Sequence, residues 1–580
     1  MASLNEKKIE TDILVVGSGG AGCFAAIKAQ ERGANVIIVN KVPWLGGSTM
    51  MARAGYSAAL GVTDSRDNSD IHFHDSFQGG DYMGNQGVLK TMCRDTVEAT
   101  HDLIKWGAVF SKRPDGRLDQ GTMASRWEGH AYPRLVTVSG GFSHIGKAIM
   151  DVLQLEIKRR QIPVLSNVMI TKLLTHDGVI TGAVGLNWRD GDLVIFNAKA
   201  VIMATGGTGH LYKYTDNPTY NTGDGYSVMY QAGGELVDME FCDFQLGTYY
   251  PHQMFGYPPN CVSWLINGGI LLNKHGERFF KKYLPHRENE AACLRTELSK
   301  AVADEILDGR GSPHEMIYLN CSNVLKDWMM TARADMVSQF KRAGIDLTWQ
   351  PMEVAPGNHT YLGGLRIDEY AKSTTLEGLY AGGEAAGGWG GSNRLGGNGI
   401  ASALGLGVAA GKSAAEASKG QAMPKIPARE VEVELKRIQG LFDRNEGVRS
   451  RAIKEQVQEL MQKNVWLRRD AKGLKKTLQA LNTIEKDTIP KLYVPRRGRK
   501  SQRYLWLREA LEAMNILQCG QIVTTAALNR KESRGSHQRA DFPEMDNKNW
   551  LKNIVLRQER NRVKARTEPV LATEVPLPKK

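Results

Sequence analysis

In "TDILVVGSGGAGCFAAIKAQERGANVIIVNK" (11–41) the apolar runs at 13–16 and 36–39 predict two buried strands, and the small and apolar residues between them predict an amphipathic helix. The strand-to-helix turn holds Gly17, Gly19, Gly20 and Gly22 in a GxGxxG pattern. Such glycines permit a tight turn and let backbone N–H groups approach a pyrophosphate at the positive end of the helix. The unit is therefore expected to bind a dinucleotide. Where an acid commonly ends the second strand and holds a ribose hydroxyl, the chain has Asn40 followed by Lys41. An amide still accepts that hydrogen bond, but the exchange argues mildly against a standard NAD site.

The pattern of an apolar strand running into glycines recurs. "KAVIMATGGTG" (199–209) reaches Ala204, Thr205 and Gly206, and "TGDGYSVMYQAGGELVDMEF" (222–241) opens a helix at Asp224. Residues 378–416 read as a strand, an acid (Glu384), a glycine-crowded turn and a long small-residue helix from about Asn398. A second helix start can face a flavin ring, because its N–H groups and positive dipole end stabilise anionic reduced flavin. These segments favour FAD over NAD, although glycines also serve plain helix-on-sheet packing. After Pro424 and Pro427 the pattern changes to "REVEVELKRIQGLFDRNEGVRSRAIKEQVQELMQ", charged with apolar residues at helical spacing, which predicts a helical bundle over 428–530. The chain shows no internal repeat and no low-complexity tract.

Length and composition, 580 residues with 42% hydrophobic and 24% charged, fit several globular domains with a sizeable core. No apolar run approaches the roughly 18 residues of a membrane span, and the polar opening "MASLNEKKIE" does not resemble a signal peptide. A cytoplasmic protein without direct membrane insertion is expected, with attachment at the inner face of a membrane through partners left open. The seven cysteines are scattered and form no CxxC pair, so no metal or iron–sulfur cluster held by this chain alone is expected. Net charge is +13, with basic stretches late in the chain at "KNVWLRRDAKGLKK", 495–503 and 557–566. No nucleic-acid-binding module accompanies them; an acidic protein partner suits them better than nucleic acid.

The motifs "GSGGAG", "ATGG", "TGDG", "GERF" with "DGRG", "NHTYLGG", "LYAGGEAAGG" with "SNRLGGN", and "ESRGSHQRADFPEMDNKNWLK" occur in this order across almost the whole chain. Together they resemble the flavoprotein subunits of the succinate dehydrogenase and fumarate reductase family, to which L-aspartate oxidase and adenylylsulfate reductase are related. The resemblance implies an α/β architecture: a Rossmann-like FAD-binding domain in two pieces, 1–235 and 355–420, with an inserted α+β capping domain at 236–354. A helical domain at 428–530 and a C-terminal extension at 531–580 follow. It also implies a separate iron–sulfur subunit that exchanges electrons with the flavin, and a small organic acid as substrate.

Adding hydride to an activated carbon–carbon double bond needs a proton donor on the opposite face and cations that polarise the activating carboxylate. Three residues stand in the family's motif positions. By resemblance Arg295 in "CLRTELSKAV" exchanges the proton, while His359 in "GNHTYLGG" and Arg394 in "SNRLGGN" grip a carboxylate. An arginine acid is unusual, since its free pKa exceeds about 12, and burial beside other cations lowers the cost of losing its proton.

The departures carry information too. The family's "QFHPT"-like histidine is replaced by Gln245 in "DFQLGT", and the "TEG" segment is missing from "SWLINGGILLN". Losing a partner for a second buried carboxylate costs roughly 2–5 kcal/mol, which points to a substrate with one carboxylate or a bulkier, less charged far end. Trp264 and Trp127 are candidate walls for such a pocket.

In membrane-bound relatives the residue aligned with Ser48 is a histidine joined covalently to the flavin. Serine offers no such nucleophile, so FAD is expected to be noncovalent, held by the first glycine turn, Gly47, Ser48, Thr49 and the later helix start. Without that bond, which generally raises flavin potential, oxidising an unactivated substrate such as succinate is harder, which favours a reductase. The alternatives are an aspartate-oxidase-like or adenylylsulfate-reductase-like enzyme, or an electron-transfer subunit with a decayed substrate pocket.

Overall fold

The computed structural model describes residues 5–43, 47–121, 129–138, 144–444, 446–495, 499–560 and 562–578. Trp127, residues 496–498 and residue 561 of the basic stretches lie outside the described residues.

The main sheet has seven strands. Its order is Val164–Ser166, Val36–Asn40, Glu6–Val16, Leu193–Met203, Val179–Asn187, Val168–His176, with Leu379–Ala381 added in parallel beside the end of Leu193–Met203. The strands around Glu6–Val16 run parallel, as βαβ crossovers require, and the last two of the path run antiparallel. The first strand begins earlier than its apolar run, because the polar residues from Glu6 onward pair in register with 193–198 near the sheet's rim. Only its second half is sealed: Ile13, Leu14 and Val15 are fully buried, each such side chain contributing about 1.5–3 kcal/mol. Helix Gly20–Gln30 covers one face, and the 21-residue helix Asn398–Ser418 lies against it.

A four-stranded antiparallel sheet, in the order Cys242–Gly247, Met352–Tyr361, Ile317–Asn320, Ile270–Leu272, carries a second apolar cluster running from Leu246 to Val354. The helical region expected from the periodicity contains Ala428–Gly440, Ser450–Asn464, Ala471–Thr483 and the 30-residue Lys500–Asn529. Beyond it the chain is woven back into the body. Strands Lys552–Glu559 and Arg562–Pro569 form a hairpin that extends a sheet with Leu236–Val237 and Gly364–Leu365. Among the described residues no helix is long and apolar enough to cross a membrane, and no group of His, Cys, Asp and Glu side chains is placed to hold a metal. All seven cysteines are buried and unpaired.

Candidate active site

One cavity of about 770 Å³ runs from the carboxyl ends of the parallel strands to the second sheet. Gly17, Lys41, Ala204 and Gly382, the residues that follow four parallel strand ends, all line it, the usual ligand position in an open α/β sheet. Gly17 has φ +111°, and a Cβ there would lie 2.2 Å from the carbonyl oxygen of Ala204. Gly22 does not line the cavity; its hydrogen lets the helix pack on the turn, since a Cβ would sit 1.9 Å from the oxygen of Gly17. Gly19, Gly20, Asn40, Gly47, Ser48, Thr49, Thr205, Gly206, Asp224 and Glu384 line the cavity with them.

Several of these side chains have protein partners as well. Thr49 Oγ1 accepts the N–H of Gly20 at 3.2 Å, and Tyr220 accepts the N–H of Gly47 at 2.7 Å. Asn40 Nδ2 donates to the carbonyl of Pro43 at 3.3 Å. Lys41 Nζ is drawn to Asp224 at 2.5 Å, Glu512 at 2.8 Å and Thr222 at 2.8 Å. Burial disfavours its charge, but the two carboxylates outweigh that and hold its pKa above the usual lysine value. Ser48 Oγ donates to Asn217 Oδ1 at 3.2 Å and accepts from Asn221 Nδ2 at 3.4 Å. Asn221 Oδ1 is buried on this wall with no hydrogen-bond partner in the protein. Glu384 accepts the N–H of Tyr361 at 2.8 Å. Burial raises its pKa to about 7, against that N–H and the positive charges of His359 and Arg394.

Asn398 is placed differently from expectation. It is buried away from the cavity, its Oδ1 2.8 Å from His72 Nε2 and its Nδ2 donating to Ser76 at 2.8 Å, so it ties the start of its helix to helix Ser69–Gly79. Gly397 and Gly399 line the cavity in its stead.

At the other end Arg295, His359, Arg394 and Gln245 line the same cavity, brought from four separate segments. Arg295 is the first residue of helix Arg295–Glu305, whose start is set by Glu297 accepting the N–H of Leu294 at 2.9 Å. Arg394 comes from the turn before Asn398–Ser418. His359 owes its direction to an irregularity in the ladder. Asp243 pairs with Thr360 and Phe244 with Asn358, so His359 is the extra residue of a bulge, a device that re-aims a side chain.

Two carboxylates organise these groups. Asp243, buried in the strand Cys242–Gly247, receives Arg295 Nη1 at 2.8 Å and Arg394 Nε at 3.1 Å on one oxygen. Burial would raise its pKa, but Arg295, Arg394 and His359 together hold it below the usual aspartate value. Asp216 takes His359 Nδ1 at 2.8 Å and Gln245 Nε2 at 3.4 Å. Both aspartates escape motif reading; the one local signal for Asp243 is a charge inside the buried strand "CDFQLG".

Trp264 does not line the cavity. It is fully buried in the cap's own core, edge-on to Trp328 at 5.2 Å, with its indole N–H donated to the carbonyl of Pro259 at 3.2 Å. Core packing takes the ring, and its helix offers Cys261 and Val262 to the cavity instead.

A cavity at the carboxyl ends of a parallel sheet, lined by three glycine-rich turns and with an orphaned buried amide oxygen on its wall, suits FAD, and its volume is within the range of about 300–1,000 Å³ for such sites. With the cation cluster beyond, these features define an FAD-dependent oxidoreductase.

A family model described as FAD binding domain matches residues 12–400, and one described as Fumarate reductase flavoprotein C-term matches residues 454–580. The chain is 36% identical over 554 residues to a subunit of the fumarate reductase (CoM/CoB) of Methanothermobacter marburgensis, spanning 95% of this chain and 97% of that one. The fold matches the FrdA chain of E. coli quinol fumarate reductase with a TM-score of 0.89 at 27% identity, over 99% of both chains. It also matches a chain of Mycobacterium smegmatis Sdh1 with a TM-score of 0.88 at 30% identity, over 98% of this chain and 95% of the other. The protein belongs to the succinate dehydrogenase and fumarate reductase flavoprotein-subunit family, FAD-dependent oxidoreductases acting on CH–CH bonds.

Proposed function

We propose that this protein reduces a carbon–carbon double bond next to a carboxylate, using noncovalent FAD and electrons delivered by a separate iron–sulfur protein. The observation that carries the reading is the convergence of Arg295 and Arg394 on one oxygen of Asp243, with His359 beside them, in the cavity that the glycine turns also line. When bound, FAD supplies two-electron hydride chemistry. Arg394 and His359 bind the substrate carboxylate and draw charge from the double bond, which leaves the far carbon ready for hydride. The neighbouring carbon takes its proton from the Arg295 guanidinium, which regains one from solvent.

Asp243 favours the charged guanidinium, the donor form that reduction needs; the reverse reaction needs the neutral form that Asp243 opposes. The segment 236–354 acts as the cap that excludes water during the step. Ser48, engaged with Asn217 and Asn221, leaves the flavin unattached.

The test is anaerobic. Dye-reduced holoenzyme is mixed with a panel of 2-enoic acids, and the flavin absorbance should recover with at least one of them. If no acid reoxidises the flavin, the protein is an electron relay and this reading is wrong.

A further inference from the structure

The balance of charge at the substrate end of the cavity limits what it can accept. The positive groups are Arg295, Arg394 and, when protonated, His359. Facing them are Asp243, which takes both guanidinium groups on one oxygen, and Asp216, which takes His359 and Gln245. Glu384 lies close enough to His359 and Arg394 to feel their charge. Even with His359 counted as a cation, the cluster therefore holds at most one positive charge in excess. Charges in a buried site are tolerated only when compensated, so this end of the cavity can neutralise one incoming carboxylate and not two.

The adjoining wall is mostly apolar, with Gln253, Asn260 and Ser299 as its polar members. Leu246, Phe255, Tyr257, Pro258, Val262 and Leu298 line it, and Phe255 is exposed. One further cation is near: Arg53 also lines the cavity, with its guanidinium spread over the Tyr257 ring at 4.0 Å. A π face already stabilises that charge, and a partly exposed position keeps it in touch with solvent.

We infer that the acid taken by this site carries one carboxylate and an apolar substituent across its double bond, and that Asp243 is the residue that sets the charge limit. The inference rests on the reading of the site as a reductase of carboxylate-activated double bonds. Asp243 lets the two arginines stand side by side in a buried pocket and, in doing so, uses the positive charge a second carboxylate would need.

Binding and turnover can be read separately on the oxidised and reduced holoenzyme. Titrating the oxidised protein with cinnamate, crotonate and fumarate, and following the flavin absorbance, should give a dissociation constant for cinnamate at least about tenfold below that for fumarate, the size of one uncompensated charge in a partly screened site. Asp243→Asn should close most of that gap by tightening fumarate while cinnamate changes little. Asp216→Asn makes the same test if the first variant fails to load flavin. Fumarate binding as tightly as cinnamate to the wild type, above all if Arg53→Ala abolishes it, would overturn the inference, as would failure of all three acids to bind. If the acids bind in the expected order and yet none reoxidises the reduced flavin, the charge limit stands and the proposed reduction falls.

Discussion

Among the described residues, two of the clusters of arginine and carboxylate differ in what surrounds them. In the first, Arg295 and Arg394 meet at Asp243 on the wall of the cavity. In the second, Arg530 is bonded to Glu240 at 2.7 Å, to Glu532 at 3.0 Å and to the carbonyls of Trp550 and Lys552, while Arg534 grips Glu532 at 2.8 and 3.0 Å and the carbonyl of Asp81. Every charged side chain of that group is sealed from solvent, and it ties the C-terminal segment to Glu240, just past the strand Leu236–Val237, and to residue 81. Burial and charge pairing are common to both, so neither marks a functional site by itself. What sets the first apart is that its cations line a space large enough for a substrate.

The sealed cluster offers the largest effect. Removing one partner from a buried ion pair leaves the other charge uncompensated and costs about 3–5 kcal/mol. Arg530→Ala should therefore lower unfolding stability by that amount, measured by denaturant titration of the holoenzyme, while the rate per folded, flavin-loaded molecule stays near wild type. A loss below about 1 kcal/mol would show that this cluster is not a structural tie.

Arg295→Gln should do the opposite. Asp243 keeps Arg394 as a partner, so folding and flavin content should change little. Turnover should fall by about 10²–10⁴-fold, the usual contribution of a positioned proton donor. Flavin reoxidation at the wild-type rate would remove Arg295 from the chemistry and erase the difference drawn between the two clusters.

The two ends of the cavity were not equally legible in the sequence. The end lined by the glycine turns was the more legible, because its glycines lie within a few residues of each other and of a strand. Even so, Asn398 was misplaced, since a residue at a helix start can turn toward the ligand or toward the neighbouring helix, and here His72 and Ser76 claim it. The substrate end draws on residues 216, 243–245, 295, 359 and 394, which no local pattern connects. Arg295, His359 and Arg394 could be named by family resemblance alone. Asp216 and Asp243 had no motif to announce them, and the bulge that turns His359 exists only in the register of two paired strands. Trp264 went the other way: its place at the start of the altered segment "SWLINGGILLN" made it a candidate pocket wall, but the cap's core buries it entirely.

A smaller effect comes from Glu384, which separates a cavity carboxylate from those of the sealed cluster. Its folded pKa of about 7 lies above the ordinary glutamate value, because burial favours the neutral form. Between about pH 4.5 and 7 the folded protein thus keeps a proton that the unfolded chain has lost. Its contribution to stability is fully present below about pH 4.5 and is lost as pH rises through 7, on the order of 3 kcal/mol in all. In FAD-depleted protein, Glu384→Gln should flatten the fall in stability over that window relative to wild type. Parallel pH profiles for the two proteins would mean that Glu384 is ionised throughout.

The smallest expected effect concerns Ser48. Its hydroxyl makes two long hydrogen bonds, 3.2 Å to Asn217 and 3.4 Å from Asn221, and those two amides also bond each other at 2.9 Å. Deleting the hydroxyl therefore leaves the amide pair intact and should cost at most about 1 kcal/mol, since a net hydrogen bond is worth about 0.5–1.5 kcal/mol. Ser48→Ala should weaken FAD retention less than about tenfold, measured by flavin release on dilution, and leave the visible spectrum near wild type. Acid precipitation sharpens the same point: the yellow colour should pass into the supernatant from both proteins, because neither side chain at 48 can attack the flavin. Colour held in the pellet of the wild type and lost from that of the variant would make Ser48 an attachment site. The cofactor end would then depend on a side chain, not on the backbone turns that made it readable.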